Sequence, residues 1–193
     1  MIETILLSAA AFAGTNMDDL VLNVLFFSRT DDRKAHMQVM AGKYMGMGVL
    51  VLISLLGAWG FGQLPQKWLA AMGLVPMALG VRELIDAFCK KANGTDPEKN
   101  MPMRHPALDA AFVTVANGAD NIGVYVPLFA SFAPWQLALS TVVFALLTGL
   151  WCWMGKIIAH VPALETALKK RRKMVVPAVY MLLGLYILLG GLL

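Results

Sequence analysis

The sequence predicts an all-α polytopic membrane protein, with six transmembrane helices forming two inverted three-helix repeats in a single membrane domain over residues 1–193. Three observations predict this. The chain is 59% apolar, only 15% charged and has a mean hydropathy of +0.66, whereas charged residues make up about a quarter of an ordinary soluble domain. Apolar stretches of roughly 20 residues, the length that crosses a bilayer, recur along it. The polar residues that interrupt the first half return in the second at a constant offset.

Span one covers 2–27 and runs "IETILLSAAAFAGTNMDDLVLNVLFF". Its opening resembles the apolar region of a secretory signal ending Ala11-Phe12-Ala13. Glu3 stands where a signal carries positive charge, and the apolar pattern continues through Phe27, so the segment reads as an uncut span. Span two covers 38–61, with Lys43 just inside it, and span three covers 67–88, with Arg82 and Glu83 near its end. A polar, proline-containing stretch, "CKKANGTDPEKNMPMRHP" at 89–106, links repeat one (1–88) to repeat two (107–193). Span four covers 107–128 and carries "TVANGADNIGVYVPLF" at 114–129; spans five and six cover 134–156 and 174–193.

The net charge of +4 and pI near 9.2 invite a nucleic-acid reading, which the placement of the basic residues excludes. They fall in alternate loops: Arg29, Arg33 and Lys34; then Lys90, Lys91, Lys99 and Arg104; then Lys156 and Lys169 to Lys173. The other two loops carry Lys67 and nothing. By the positive-inside rule the basic loops are cytoplasmic and both termini lie outside. Trp59, Trp68 and Trp135 then sit at outer span ends, where aromatic anchors belong. Cys89 and Cys152 stand alone, which indicates neither a disulfide framework nor a thiolate metal motif.

Asn16 pairs with Asn117 and Asp19 with Asp120 at an offset of 101, which also pairs Gly48 with Gly149 and Val75-Pro76 with Val176-Pro177. The matches fall on the special residues of all three span pairs. Three spans are an odd number, so the second copy enters the membrane from the opposite face, as in many secondary transporters whose sites lie at the repeat interface near the midplane.

Carboxylates near a helix centre cost roughly 2.5–3.5 kcal/mol each on insertion scales. Asp18, Asp19 and Asp120 therefore need a protein interior, a water-filled cavity, a cation or a proton. Helical spacing places Asn16, Asp19 and Asn23 on one face, and Asn117, Asp120 and Asn121 on another. Carboxylate and amide oxygens of this kind suit a desolvated cation, and glycines beside each Asn would let the helices unwind and free carbonyls. The expected cation ligands are Asn16, Asp18, Asp19, Asn117, Asp120 and Asn121. Asp18 points about 100° from Asp19, and its repeat equivalent is Ala119. That suits it to a second ligand or a proton-linked role. The bland alternative is that these residues only glue helices together. His36, His105 and His160 lie in or beside basic loops and are expected to be solvated.

The two polar stretches, with "VPMALGVREL" at 75–84, resemble the CadD-type cadmium resistance transporter family of the LysE-type exporter superfamily, over nearly the whole chain. The resemblance implies a bacterial cytoplasmic-membrane protein that exports a divalent metal, chiefly cadmium, with the six named residues lining the path. The cation is then substrate, and no cofactor is expected. Partners are the metal ion and the lipid bilayer, with no nucleic acid; homo-oligomerisation is left open. Absence of a phosphate-binding G-x-x-x-x-G-K-[ST] motif points to an ion gradient, with protons as the exchanged ion, and no enzyme motif lies in the spans. An exporter of an amino acid or other cationic solute on the same fold is the alternative. Cadmium is soft and favours thiolate, so Cys152 or a Met would have to approach the oxygen site to match it.

Overall fold

The computed structural model describes residues 1–30, 32–61, 65–89, 105–160 and 162–190. These residues are helical almost throughout, in nine helices in chain order: α1 (Ile2–Thr15), α2 (Met17–Ser28), α3 (Arg33–Phe61), α4 (Gln66–Met72), α5 (Leu74–Cys89), α6 (Pro106–Ala116), α7 (Ala119–Ala130), α8 (Pro134–Ile158) and α9 (Pro162–Gly190). Most of the linker expected at 89–106 lies outside them.

Proline sets several of the starts. Pro106 and Pro134 occupy the first turns of α6 and α8, where a missing N–H costs nothing and the fixed φ is already helical. The stretch expected as one span at 67–88 is long and apolar enough to cross a membrane over Lys67–Ile85, with a local interruption at Gly73 between α4 and α5. No side chain fits there, because a Cβ on Gly73 would stand 2.5 Å from the Gly184 carbonyl oxygen of α9. Among paired glycines of the repeat, Gly48 faces open space while Gly149 meets the Tyr44 hydroxyl.

By length and composition α3, α8 and Lys67–Ile85 can each cross a membrane; α1 and α2 reach that length only together, across a bend of 59° at their junction. Pro106–Ala116 and the Met174–Gly190 part of α9 are apolar but shorter. The outer surface carries Leu52, Leu56, Leu146, Leu182 and Trp153 exposed, a display that water does not tolerate over a large area and lipid does. Trp59, Trp68 and Trp135 are exposed as well.

Packing between the halves is reciprocal. α3 lies on α6 and α7, α8 lies on α1 and α2, and α5 lies on α9. The core joins them through Phe12, Tyr125, Phe129, Phe144 and Tyr180. Phe12 meets Phe144 and Trp151 edge-on, at 5.5 and 5.3 Å between centroids, the arrangement ring quadrupoles favour. Ser8 and Ser140 share a buried 2.7 Å hydrogen bond between α1 and α8.

Candidate functional site: two broken helices that meet

Both polar stretches break their helices. In the first half the hydrogen-bond ladder ends with the Asn16 N–H on the Phe12 carbonyl and resumes with the Leu20 N–H on the Asn16 carbonyl. In the second, Asn117 closes α6 and Gly118 opens α7, with the Ile122 N–H on the Gly118 carbonyl. The breaks fall at equivalent positions, and each brings a helix C-terminus and a helix N-terminus to one level. Asp18 and Asp19 occupy the first turn of α2 and Asp120 that of α7. A helix N-terminus favours negative charge by typically 0.3–1 kcal/mol, more when partly buried, which offsets part of the cost of placing carboxylates there.

The two breaks touch. The Asn121 amide donates to Asn16 Oδ1 at 3.3 Å. Asn16, 1% exposed, donates in turn to the Phe12 carbonyl (2.9 Å), to Thr15 Oγ1 (2.9 Å) and to the Tyr125 hydroxyl (2.7 Å). The Thr15 hydroxyl lies 3.0 Å from the Ala11 carbonyl and shares a 2.7 Å hydrogen bond with the Tyr125 hydroxyl. The Trp151 indole N–H of α8 binds the Asn16 carbonyl at 2.9 Å.

Around this junction the carboxylates have separate partners. Lys43 of α3 donates to Asp19 Oδ1 at 2.6 Å, with Lys43 1% and Asp19 17% exposed, and the Thr114 hydroxyl of α6 reaches the same oxygen at 3.3 Å. Asp120 accepts from the Tyr180 hydroxyl of α9 at 2.6 Å and from the Asn121 backbone N–H at 3.0 Å. Tyr125 and Tyr180 thus set their hydroxyls beside the breaks, the first on Asn16 and the second on Asp120. The expectation that Asn16, Asp19 and Asn23 share one face assumed an unbroken helix. Asn16 instead turns toward α7 and Asp19 toward α3, while Asn23 lies against Gly155 of α8, fully buried, its amide lacking a hydrogen-bond partner among the described residues.

A family model described as cadmium resistance transporter matches residues 12–191. The chain belongs to the cadmium resistance transporter family. Comparison with curated proteins and with solved structures gave no match. The family match takes in both breaks and every residue of the junction. As a member of this family the chain is a membrane transporter.

Sequence reasoning brought Asn16, Asn121, Asp19 and Asp120 to this junction and missed three of its members. Lys43 reads from the sequence only as a basic residue just inside span two, although a lysine inside an apolar span is a functional signal in itself. Tyr125 lay unremarked within "TVANGADNIGVYVPLF". Tyr180 carried no signal, because its repeat equivalent is Leu79. Among the described residues no group of three or more His, Cys, Asp or Glu side chains converges as a metal cage, so any ion site here draws on amides and carbonyls beside the aspartates. Cys152 is buried as a free thiol in an apolar cluster with Leu22, Phe26 and Val113. His36 differs from its expected solvation: it hydrogen-bonds the Thr30 carbonyl at 2.7 Å and packs edge-on to Phe27.

Proposed function

We propose that this cadmium resistance transporter is a secondary efflux carrier that binds a divalent heavy-metal cation where its two broken helices meet, with Asp19 and Asp120 as principal ligands. Asn16, Asn117 and Asn121 assist, and Asp18 carries the proton-linked role. The observation that carries the reading is the Asn16–Asn121 contact at 3.3 Å, which joins the two breaks beside carboxylates in the first turn of each continuing helix.

Charge balance supports exchange for protons. Asp120 is met by the neutral hydroxyl of Tyr180, which leaves on it a negative charge that a low-dielectric interior does not hold uncompensated. A divalent cation offsets it in the loaded state, and protons offset it in the unloaded one. The reciprocal packing of α3 on α6–α7 and of α8 on α1–α2 supports two inverted three-helix repeats, and the alternate basic loops support outward termini in a bacterial cytoplasmic membrane.

Purified protein in proteoliposomes enclosing a cadmium-sensitive dye tests this. Wild type is expected to carry Cd2+ in a manner accelerated by an opposing pH gradient; Asp19→Asn and Asp120→Asn lose flux, and Asp18→Asn loses the pH dependence. Cadmium flux indifferent to the gradient would remove proton exchange from the account, and flux of a cationic amino acid without metal flux would replace the cargo.

A further inference from the structure

A lysine ammonium is a compact cation on a flexible stem, and the structure seats one on the carboxylate that the proposed carrier offers to its cargo. Lys43 Nζ stands 2.6 Å from Asp19 Oδ1 and is 1% exposed. It also lies 5.2 Å from the Phe26 ring centroid, a cation–π distance that gives the ammonium a second place to rest without leaving the protein. The backbone beneath it is fixed. Gly42 and Gly46 pack so closely on α6 that a Cβ on Gly42 would collide with the Ala107 carbonyl and one on Gly46 would meet Thr114 Cβ at 2.7 Å. Thr114, on that same α6, adds its hydroxyl to Asp19 Oδ1. One carboxylate oxygen of α2 is therefore tied to a body formed by α3 and α6, and the tie contains a cation.

We propose that Lys43 is a tethered counter-cation: its ammonium occupies Asp19 in the empty carrier, is displaced toward Phe26 by the cargo, and returns so that the unloaded protein can reorient. This rests on the reading of the site as a cation carrier. A carrier emptied of cargo must cross the membrane interior with its carboxylates compensated, and an attached cation does this for Asp19 while freeing α2 from α3 and α6 only when cargo arrives. The repeat equivalent of Lys43 is Phe144, so the device belongs to one half alone. Asp120 faces the Tyr180 hydroxyl instead.

Two flux measurements in the same proteoliposomes separate this role from a structural or a merely electrostatic one: net Cd2+ entry into metal-free vesicles, which requires the empty carrier to return, and radiolabelled Cd2+ exchange against internal Cd2+, which does not. For Lys43→Met we expect net flux to fall at least about ten-fold, the kinetic equivalent of roughly 1.4 kcal/mol, while exchange stays within about two-fold of wild type. Lys43→Arg keeps the pair and hence the fold, but its fork grips a carboxylate more firmly; it should weaken Cd2+ affinity by about ten-fold in calorimetry. Equal loss of both fluxes in Lys43→Met, or no loss of either, overturns the proposal. Should that variant fail to yield monodisperse protein, an unchanged Cd2+ affinity in Lys43→Arg overturns it. Wild-type vesicles with neither net nor exchange flux of Cd2+ would instead reject the underlying carrier reading.

Discussion

Replacing Asn16 by Ala removes the side chain that holds the two breaks together. Two amide protons serve the Phe12 carbonyl, Thr15 Oγ1 and the Tyr125 hydroxyl, and the oxygen serves Asn121. Counting this as about three independent hydrogen bonds at roughly 0.5–1.5 kcal/mol net each, with buried partners left unsatisfied, gives a loss of about 2–4 kcal/mol. For a protein of this length each kcal/mol moves the midpoint by roughly 2–4 °C, so Tm should drop by about 4–16 °C. Thermal unfolding in mild detergent, followed by tryptophan fluorescence, reports on the locus because the Trp151 indole binds the Asn16 carbonyl. Cd2+ flux at a temperature where the variant is folded should also be lost. A midpoint within about 1 °C of wild type would refute the inference that this junction holds the halves in register.

Three further outcomes follow from single contacts. Tyr180→Phe deletes the donor to Asp120 and should cost about 1.5–3 kcal/mol, the range for a hydrogen bond to a charged group, read as a lowered Tm. Gly42→Val drives a side chain into the Ala107 carbonyl and Ala110 of α6 and should destabilise by about 1–3 kcal/mol or more; Gly48→Ala, whose Cβ enters open space, should stay within about 0.5 kcal/mol in the same assay. Ser54→Ala removes a buried hydroxyl with no hydrogen-bond partner among the described residues and should leave stability unchanged or raise it by up to about 1 kcal/mol.

The helical segments and the two breaks were legible because their signals are local. Apolar runs of bilayer length mark the helices, and an Asn with a Gly within two residues, Gly14 before Asn16 and Gly118 after Asn117, marks each interruption. Pro76 does not disclose the interruption at Gly73, since its repeat equivalent Pro177 lies within α9 and leaves that helix whole. Partners across helices were not legible. Nothing local to Lys43 says that it meets Asp19 rather than lipid headgroups, because that depends on how α2 and α3 are set side by side. The repeat offset, which found Asn117 and Asp120, hid Lys43 and Tyr180, whose equivalents are Phe144 and Leu79. Helical-wheel reasoning through Asn16 misled for a related reason: the 59° bend uncouples Asn16 from Asp19, and each faces a different neighbour.

The central claim is that the cation binds where the two broken helices meet. Crystals of the protein soaked in Cd2+ and measured for anomalous scattering test it most directly. The account predicts a peak between Asp19 and Asp120, at ligand distances of about 2.2–2.6 Å from carboxylate and amide oxygens, with the Lys43 ammonium withdrawn from Asp19. A peak only at His36, His105 or His160, with the Lys43–Asp19 pair intact and the junction empty, would contradict it.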